Sequence, residues 1–350
     1  MNFNNYKTKA FTLIELLVVI SILGILSGFI IVNMNGAIDS ANDARRKSDL
    51  DAIRKTLIVY GTLNGMVHPI QTTTCNIGSN CNNLASALLD ITSNLPVDPV
   101  SGYYTYISSS TGSNYFLSGN LSSSTLSHSN NGGYAVGPVD IDGNKYGAIN
   151  IGTQTWMASN LMTTKYNDGT AITRGPTGAT WDGADHGYYA YPPAIGNTTE
   201  ETLTNIQSKR LGFVYQWSAS NSGKLCPIGW HVPSDAEFKT LEMYLGMSQA
   251  QADAIAWRGT NEGSQLKEAG TTNWGSNAGA TNFSVFTILG AGYRGSDGSL
   301  SLRSVNAVFW TSTLSDASSA FDRSLYGINT GVNRNFHPFA YAFSVRCLKD

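Results

Sequence analysis

A chain of 350 residues is long enough for two or three folded units, and a net charge of −2 with only 13% charged side chains excludes nucleic acid, or any strongly acidic or basic partner, as its main business. Thirty-six glycines, crowded with Ser, Thr and Asn, point to a loop-rich, exported surface. Cys75, Cys81, Cys226 and Cys347 form an even set without zinc-type spacing, which reads as two disulfides outside the cytoplasm.

The first predicted element is FTLIELLVVISILGILSGFIIV, residues 11–32. About 20 helical residues at 1.5 Å each span a bilayer core, so this run is a transmembrane segment, with Leu13, Ile14, Leu16, Leu17, Val18, Val19 and Ile20 meeting lipid. Lys7 and Lys9 precede it and Asp39 follows, which keeps the short leader cytoplasmic and sends everything after residue 33 outward. A cleaved secretory signal fits poorly, because the apolar run continues past Ser27 and Gly28. Glu15 is the anomaly: a carboxylate inside a membrane helix costs roughly 2.5 to 3.5 kcal/mol and persists where a partner or a function demands it.

KAFTLIELLVVISILGIL resembles the prepilin segment of type IV pilins and type II secretion pseudopilins. The resemblance implies a leader of residues 1–10, cut by a prepilin peptidase between Ala10 and Phe11, with methylation of the new amino terminus. It also implies assembly through Glu15, which in the family pairs with the Phe11 amine of a neighbouring subunit. The family usually carries glycine where this chain has Ala10. Gly24 and Gly28 form a small-xxx-small pair that lets helices approach closely.

No proline interrupts the sequence after the apolar run, and Leu50, Ile53, Leu57 and Tyr60 share one helical face, predicting a single helix over 11–61 on the order of 75 Å long. Asp39, Asp43, Asp49 and Asp51 interleave with Arg45, Arg46, Lys47, Arg54 and Lys55 around that face. A small head is expected over 62–121. Cys75 and Cys81 bridge a short loop, ALLDITSNLPVDP is a short helix and a turn, and YYTYISSSTGSNYFLSGNL is a hairpin turning near Gly112. Asp98 stands alone as a candidate calcium ligand in the head. Residues 122–133, SSSTLSHSNNGG, read as a flexible spacer, and all seven tryptophans lie beyond it.

Residues 134–350 form the larger unit. Asp142, Gly143 and Asn144 read as a hairpin turn in preference to a calcium loop built on Asp140, Asp142 and Asn144, because an EF-hand places glycine sixth and a glutamate twelfth, whereas here glycine stands fourth and no such glutamate follows. Ser234 with Glu237 three residues on is a capping box opening a helix. Together with GAGYRG, FWTST and FSVRCLKD, the stretches IDGNKYGAINIGTQTWMASNL and LCPIGWHVPSDAEF resemble the FISUMP (Fibrobacter succinogenes major paralogous) domain, similar in turn to the C-type-lectin-like fold of sulfatase-modifying enzymes. The resemblance implies that Trp156, Asn160, Trp230, Trp310 and Arg346 are framework and that Cys226 and Cys347 form a disulfide.

The expected fold class is α+β: a long transmembrane helix with a small pilin sheet head, then a loop-rich C-type-lectin-like domain. His186, His231 and His337 are scattered without nucleophile spacing, so no catalytic residue, metal or cofactor is assigned. Tyr188, Tyr189 and Tyr191 in HGYYAYPP are the ligand-binding candidates. The expected function is a pilin-like subunit, minor or at a tip, displaying a recognition domain. The alternatives are a type II secretion pseudopilin that recruits exoproteins, or a membrane-tethered enzyme of sulfatase-modifying type. Expected partners are the prepilin peptidase/methyltransferase, other pilin subunits in a homo- or hetero-filament, the inner membrane before assembly, and an extracellular surface or polymer after it.

Overall fold

A proline-free sequence with Leu50, Ile53 and Leu57 on one face favours one uninterrupted helix. In the computed structural model that helix is α1 (Leu13–Leu63), 51 residues long. The structure describes residues 13–65, 67–89, 91–92, 94–100, 102–129, 133–177 and 181–350, with 24–35, 128–129 and 133–134 in backbone only. Among the described residues no helix is long and apolar enough to cross a membrane. The second half of the expected 11–32 span lies in the stretch described in backbone only.

The C-terminal third of α1 belongs to the head. Leu50, Ile53 and Leu57 pack with Leu84, Leu88, Tyr104, Tyr106 and Leu117, while Tyr60 lies at the margin of that core. Around it the chain forms β1 (Cys75–Asn76), α2 (Asn82–Leu88), β2 (Tyr104–Ser108), β3 (Tyr115–Asn120), β4 (Thr125–Ser129) and β5 (Gly133–Gly137). These strands make one five-stranded sheet in the order β1-β2-β3-β4-β5. Cys75 and Cys81 are bonded. The β2–β3 hairpin turns at Gly112, whose φ of +69° is left-handed, and a Cβ there would strike the His68 carbonyl. Arg46 ties α1 to the head by donating to Asp98 at 2.7 Å, beside its helical neighbour Asp43 at 2.9 Å. Asp98 is therefore engaged by a cation.

The expected spacer over 122–133 is corrected in its described part, which forms β4 and the start of β5; residues 130–132 lie outside the described residues. β4 pairs with β3 from Phe116↔Ser129 to Asn120↔Thr125, and β5 continues the ladder from Thr125↔Gly137 to Ser129↔Gly133. The reason is that these polar residues find partners inside a sheet: Thr125 and Ser127 are buried, and Ser127 Oγ donates to the Ala148 carbonyl at 2.8 Å and accepts from the Ala148 N–H at 3.1 Å. A composition that reads as solvated is in fact hydrogen-bonded on both sides.

The larger unit continues with β6 (Ala148–Ile151), β7 (Gln154–Met157), β8 (Tyr189–Ala190), α3 (Leu203–Lys209), β9 (Val214–Gln216), α4 (Trp217–Ser220), β10 (Trp230–His231), α5 (Asp235–Tyr244), α6 (Gln249–Asp253), β11 (Ala256–Arg258), α7 (Glu262–Leu266), β12 (Tyr293–Arg294), β13 (Leu300–Ser301), β14 (Asn306–Leu314), β15 (Ser319–Tyr326), β16 (Val332–Pro338), β17 (Ala342–Ser344) and β18 (Leu348–Lys349). Four strands run β10-β18-β7-β6; nine form a second sheet in the order β11-β16-β15-β14-β17-β12-β13, with β9 on β17 and β8 on β9. The predicted 142–144 turn is present, closed by a single bridge between Val139 and Lys145 in place of paired strands. The hairpin proper is β6–β7, with Gly152 at φ +62°. The Ser234–Glu237 capping box opens α5. Cys226 and Cys347 are bonded across 121 residues, worth on the order of 4 to 5 kcal/mol by loop entropy.

Head and display unit share a core. Ile107 and Phe116 of the head pack with Trp156, Phe286 and Phe309, and Lys145 Nζ donates to the Leu121 carbonyl at 2.6 Å. Under α5 lies a buried ionic chain: Glu242 accepts from Arg258 at 2.6 Å and Arg323 at 2.7 Å, while Asp235 accepts from Arg323 at 2.8 Å and from both arms of Arg334 at 2.8 and 2.9 Å.

Removing the Glu242 carboxylate strands the buried Arg258 and leaves Arg323 with Asp235 alone. Glu242→Gln is expected to lower unfolding stability by about 3 to 5 kcal/mol, read as a lower denaturant midpoint at unchanged slope. Burial pushes the Asp98 carboxyl up, but the hydrogen bonds from Arg46 and the Val100 and Gly102 N–H groups outweigh it and hold the group at about 2. Its stabilising effect is thus present above pH 3.8 and lost as the pH falls toward 2. Asp98→Asn is expected to cost about 2 kcal/mol at neutral pH, with the difference from the parent protein in thermal melts vanishing at the acid end.

Candidate functional site

Two regions carry candidate function. The first is the N-terminal end of α1, with Glu15 in its first turn. Ala10 and Phe11 lie outside the described residues. Leu13, Ile14 and Leu16 are 75%, 72% and 61% exposed, and Leu17, Val18, Val19 and Ile20 are about half exposed. So long an apolar surface on one chain requires lipid or other helices to cover it.

The second region was invisible in the sequence. A cleft of about 370 Å³ opens between the head and the display unit, within the usual range of small-molecule sites. One wall carries Thr73, Thr74, Asn76 and Asn80 of the head; the other carries Ser159, Lys209, Arg210, Glu268, Asn273 and Arg346. α3 ends at Lys209, and Arg210 takes a left-handed C-cap with φ 56°, turning the chain at the rim. Arg346 sits between β17 and β18, 2% exposed. Its Nη2 and Nε donate to Asn160 Oδ1 at 2.8 and 3.2 Å, its Nη1 to the Phe286 carbonyl, and its guanidinium lies 4.4 Å over the Phe286 ring. Asn160 is fixed in turn by donating to the Leu211 carbonyl at 2.9 Å. Burial pulls the Arg346 guanidinium down to about 9. Glu268 is 5% exposed and accepts from Asn273 Nδ2 at 3.1 and 3.2 Å. Burial raises its carboxyl pKa, and the Asn273 hydrogen bonds only partly oppose that.

The tyrosine candidates are half-buried, each against neighbouring rings. Tyr191 stacks on Phe213 at 5.1 Å and Tyr189 lies 5.2 Å from the same ring, both against the core. Tyr188 packs edge-on to Trp181 at 5.9 Å, beside a hollow of only about 40 Å³. The β8–β9 pairing buries Ala190 and leaves the three tyrosines half-exposed. Among the described residues no group of three or more His, Cys, Asp or Glu side chains could hold a metal ion.

Each flagged histidine meets a carboxylate: His186 meets Asp182 at 2.9 Å, His337 meets Asp322 at 2.6 Å, and His231 lies between Asp350 at 2.7 Å and Glu237 at 3.0 Å. Partial burial disfavours the charged His231, yet its two carboxylates win and raise its pKa. The resulting stability is complete below pH 6.5 and disappears as the pH rises through the raised value. His231→Gln is therefore expected to lower the melting temperature at pH 5.5 and to leave it nearly unchanged at pH 9.

The family model described as the Fibrobacter succinogenes major domain matches residues 149–349, and the prokaryotic N-terminal methylation motif matches residues 5–31. No curated protein and no solved structure matches the chain. The methylation motif, lying across Glu15 and the exposed apolar end of α1, marks a type IV pilin-like or pseudopilin subunit and implies processing by a prepilin peptidase. Because the larger match takes in β6 to β18, the disulfide Cys226–Cys347 and the far wall of the cleft, the chain belongs to the Fibrobacter succinogenes major domain family.

Proposed function

We propose that this protein is a minor or tip subunit of a type IV pilus, inserted in the inner membrane through residues 11–32 with a cytoplasmic N-terminus. After cleavage before Phe11 it enters a surface filament and presents its C-terminal domain for recognition. The observation that carries the reading is the division of α1. Its first turns expose Leu13, Ile14 and Leu16 beside Glu15, while its last turns bury Leu50, Ile53 and Leu57 in a head fused to the display unit. One end needs other helices; the other holds out a folded domain. A unit of 217 residues on every subunit would crowd a filament, which favours sparse or terminal placement. A binding role is supported by the cysteines, all four of which are held in disulfides.

Glu15→Ala is expected to leave membrane insertion intact and to remove the protein from sheared filament fractions, as measured by immunoblotting of both fractions. Normal content in sheared filaments would overturn the assembly role. Loss of exoprotein secretion in a strain without surface fibres would move the protein to the pseudopilin class.

A further inference from the structure

Burying a cation without an opposite charge is costly, and proteins ordinarily pair or neutralise it. Elsewhere in the display unit Arg258, Arg323 and Arg334 each meet Glu242 or Asp235, and Arg294 meets Glu200 at 2.6 Å, whereas the buried Lys267 and Arg303 have only neutral oxygens, chiefly backbone carbonyls, as partners. Arg346 is as buried as these and likewise has no carboxylate within ion-pair distance among the described residues, but unlike Lys267 and Arg303 it lines the cleft. Asn160 and the Phe286 carbonyl orient its guanidinium without neutralising it. The same cleft has two more cations at its rim, Lys209 and Arg210, and neither forms an ion pair among the described residues.

The rest of the lining narrows the ligand. Hydroxyl and amide side chains dominate, with Thr73, Thr74, Asn76 and Asn80 on the head and Ser159 and Asn273 opposite. Such groups match the alternating donors and acceptors of sugar hydroxyls, and Phe116 with Ile107 supplies an apolar floor for a ring face. Glu268, the only acidic side chain in the lining, faces the same space. A buried carboxyl there opposes the concentrated charge of a phosphate and suits an anion with one carboxylate per ring and hydroxyls to share. From the unpaired Arg346, the free rim cations and the hydroxyl-rich walls, we propose that the cleft binds an anionic saccharide, a uronate-type unit of one or two sugars.

The proposal rests on the recognition role above and names its ligand class. Because the head supplies one wall, the bound sugar would bridge the head and the display unit. A ligand with affinity only for the folded protein also raises its melting temperature.

The test uses the full-length protein in detergent, titrated calorimetrically with digalacturonate, with the neutral disaccharide galactobiose and with inorganic phosphate. Digalacturonate is expected to bind saturably and to raise the melting temperature, with galactobiose at least about tenfold weaker, a difference of about 1.4 kcal/mol. The double substitution Lys209→Glu, Arg210→Glu lies on the exposed rim and is expected to keep the parent melting temperature while weakening digalacturonate about tenfold or more. Absence of digalacturonate binding at millimolar concentration would overturn the proposal, as would equal affinity for galactobiose, tighter binding of phosphate, or indifference to the double substitution. Filament incorporation of the double variant is measured separately, so a failure of sugar binding is distinguishable from a failure of the assembly reading.

Discussion

The exchange between Ser127 and the backbone of Ala148 is the joint on which this molecule depends. One hydroxyl donates to the Ala148 carbonyl at 2.8 Å and accepts from its N–H at 3.1 Å, so the fourth strand of the head is stitched to the first strand of the display unit. Ala135 on β5 joins the display core beside Tyr146 and Ala148, and at Gly137 a Cβ would overlap the Tyr146 carbonyl. Strands this close leave no room for a swinging tether. The display unit is an extension of the head, held by the side chains that a composition rule assigns to a solvated linker.

That joint explains what was legible in the sequence and what was not. Local signals were read correctly where local chemistry decides. The Leu50, Ile53, Leu57 face became the head core, Gly112 turned the β2–β3 hairpin, and Ser234 with Glu237 closed a capping box. The reading of 122–133 failed because Thr125 is satisfied by Asn120 across the β3–β4 turn and Ser127 by Ala148 in another sheet, and single-sequence composition carries no trace of such partners. The half-burial of Tyr188, Tyr189 and Tyr191 was illegible for a related reason: exposure belongs to the sheet, and it is set by the pairing of β8 with β9. The cleft could not be read at all, since its walls come from Thr73, Ser159, Lys209, Glu268 and Arg346, residues with no common local pattern.

Charge distribution separates framework from site in the display unit. The chain Arg258–Glu242–Arg323–Asp235–Arg334 is closed: every buried cation has a carboxylate, and the low dielectric strengthens each pair. It fixes α5 against β15 and β16, and nothing in it is left to offer a ligand. Lys267 and Arg303 are buried on neutral oxygens, and so is Arg346, but Arg346 lies where two units meet around an open volume. A closed network confers stability and specificity of fold. An open one, at the edge of a cleft, confers an affinity that the fold itself does not use.

The position of the cleft then matters more than its size. A recognition surface at the outer pole of a displayed domain would load only the last elements of the chain under tension. This cleft lies at the seam, where the head that caps the long helix meets the display sheets. A ligand seated there touches Thr73 and Asn76 on one side and Lys209 and Arg346 on the other, so pulling the ligand draws on both walls together. The contacts that resist such a pull are those that define the seam: the Ser127–Ala148 exchange, Lys145 on the Leu121 carbonyl, and Ile107 with Phe116 in the shared core. Force then passes from the ligand into the head and down α1 without crossing a flexible segment among the described residues. For a subunit held in a filament by the other end of that helix, attachment at the seam is the arrangement that demands least of the joint.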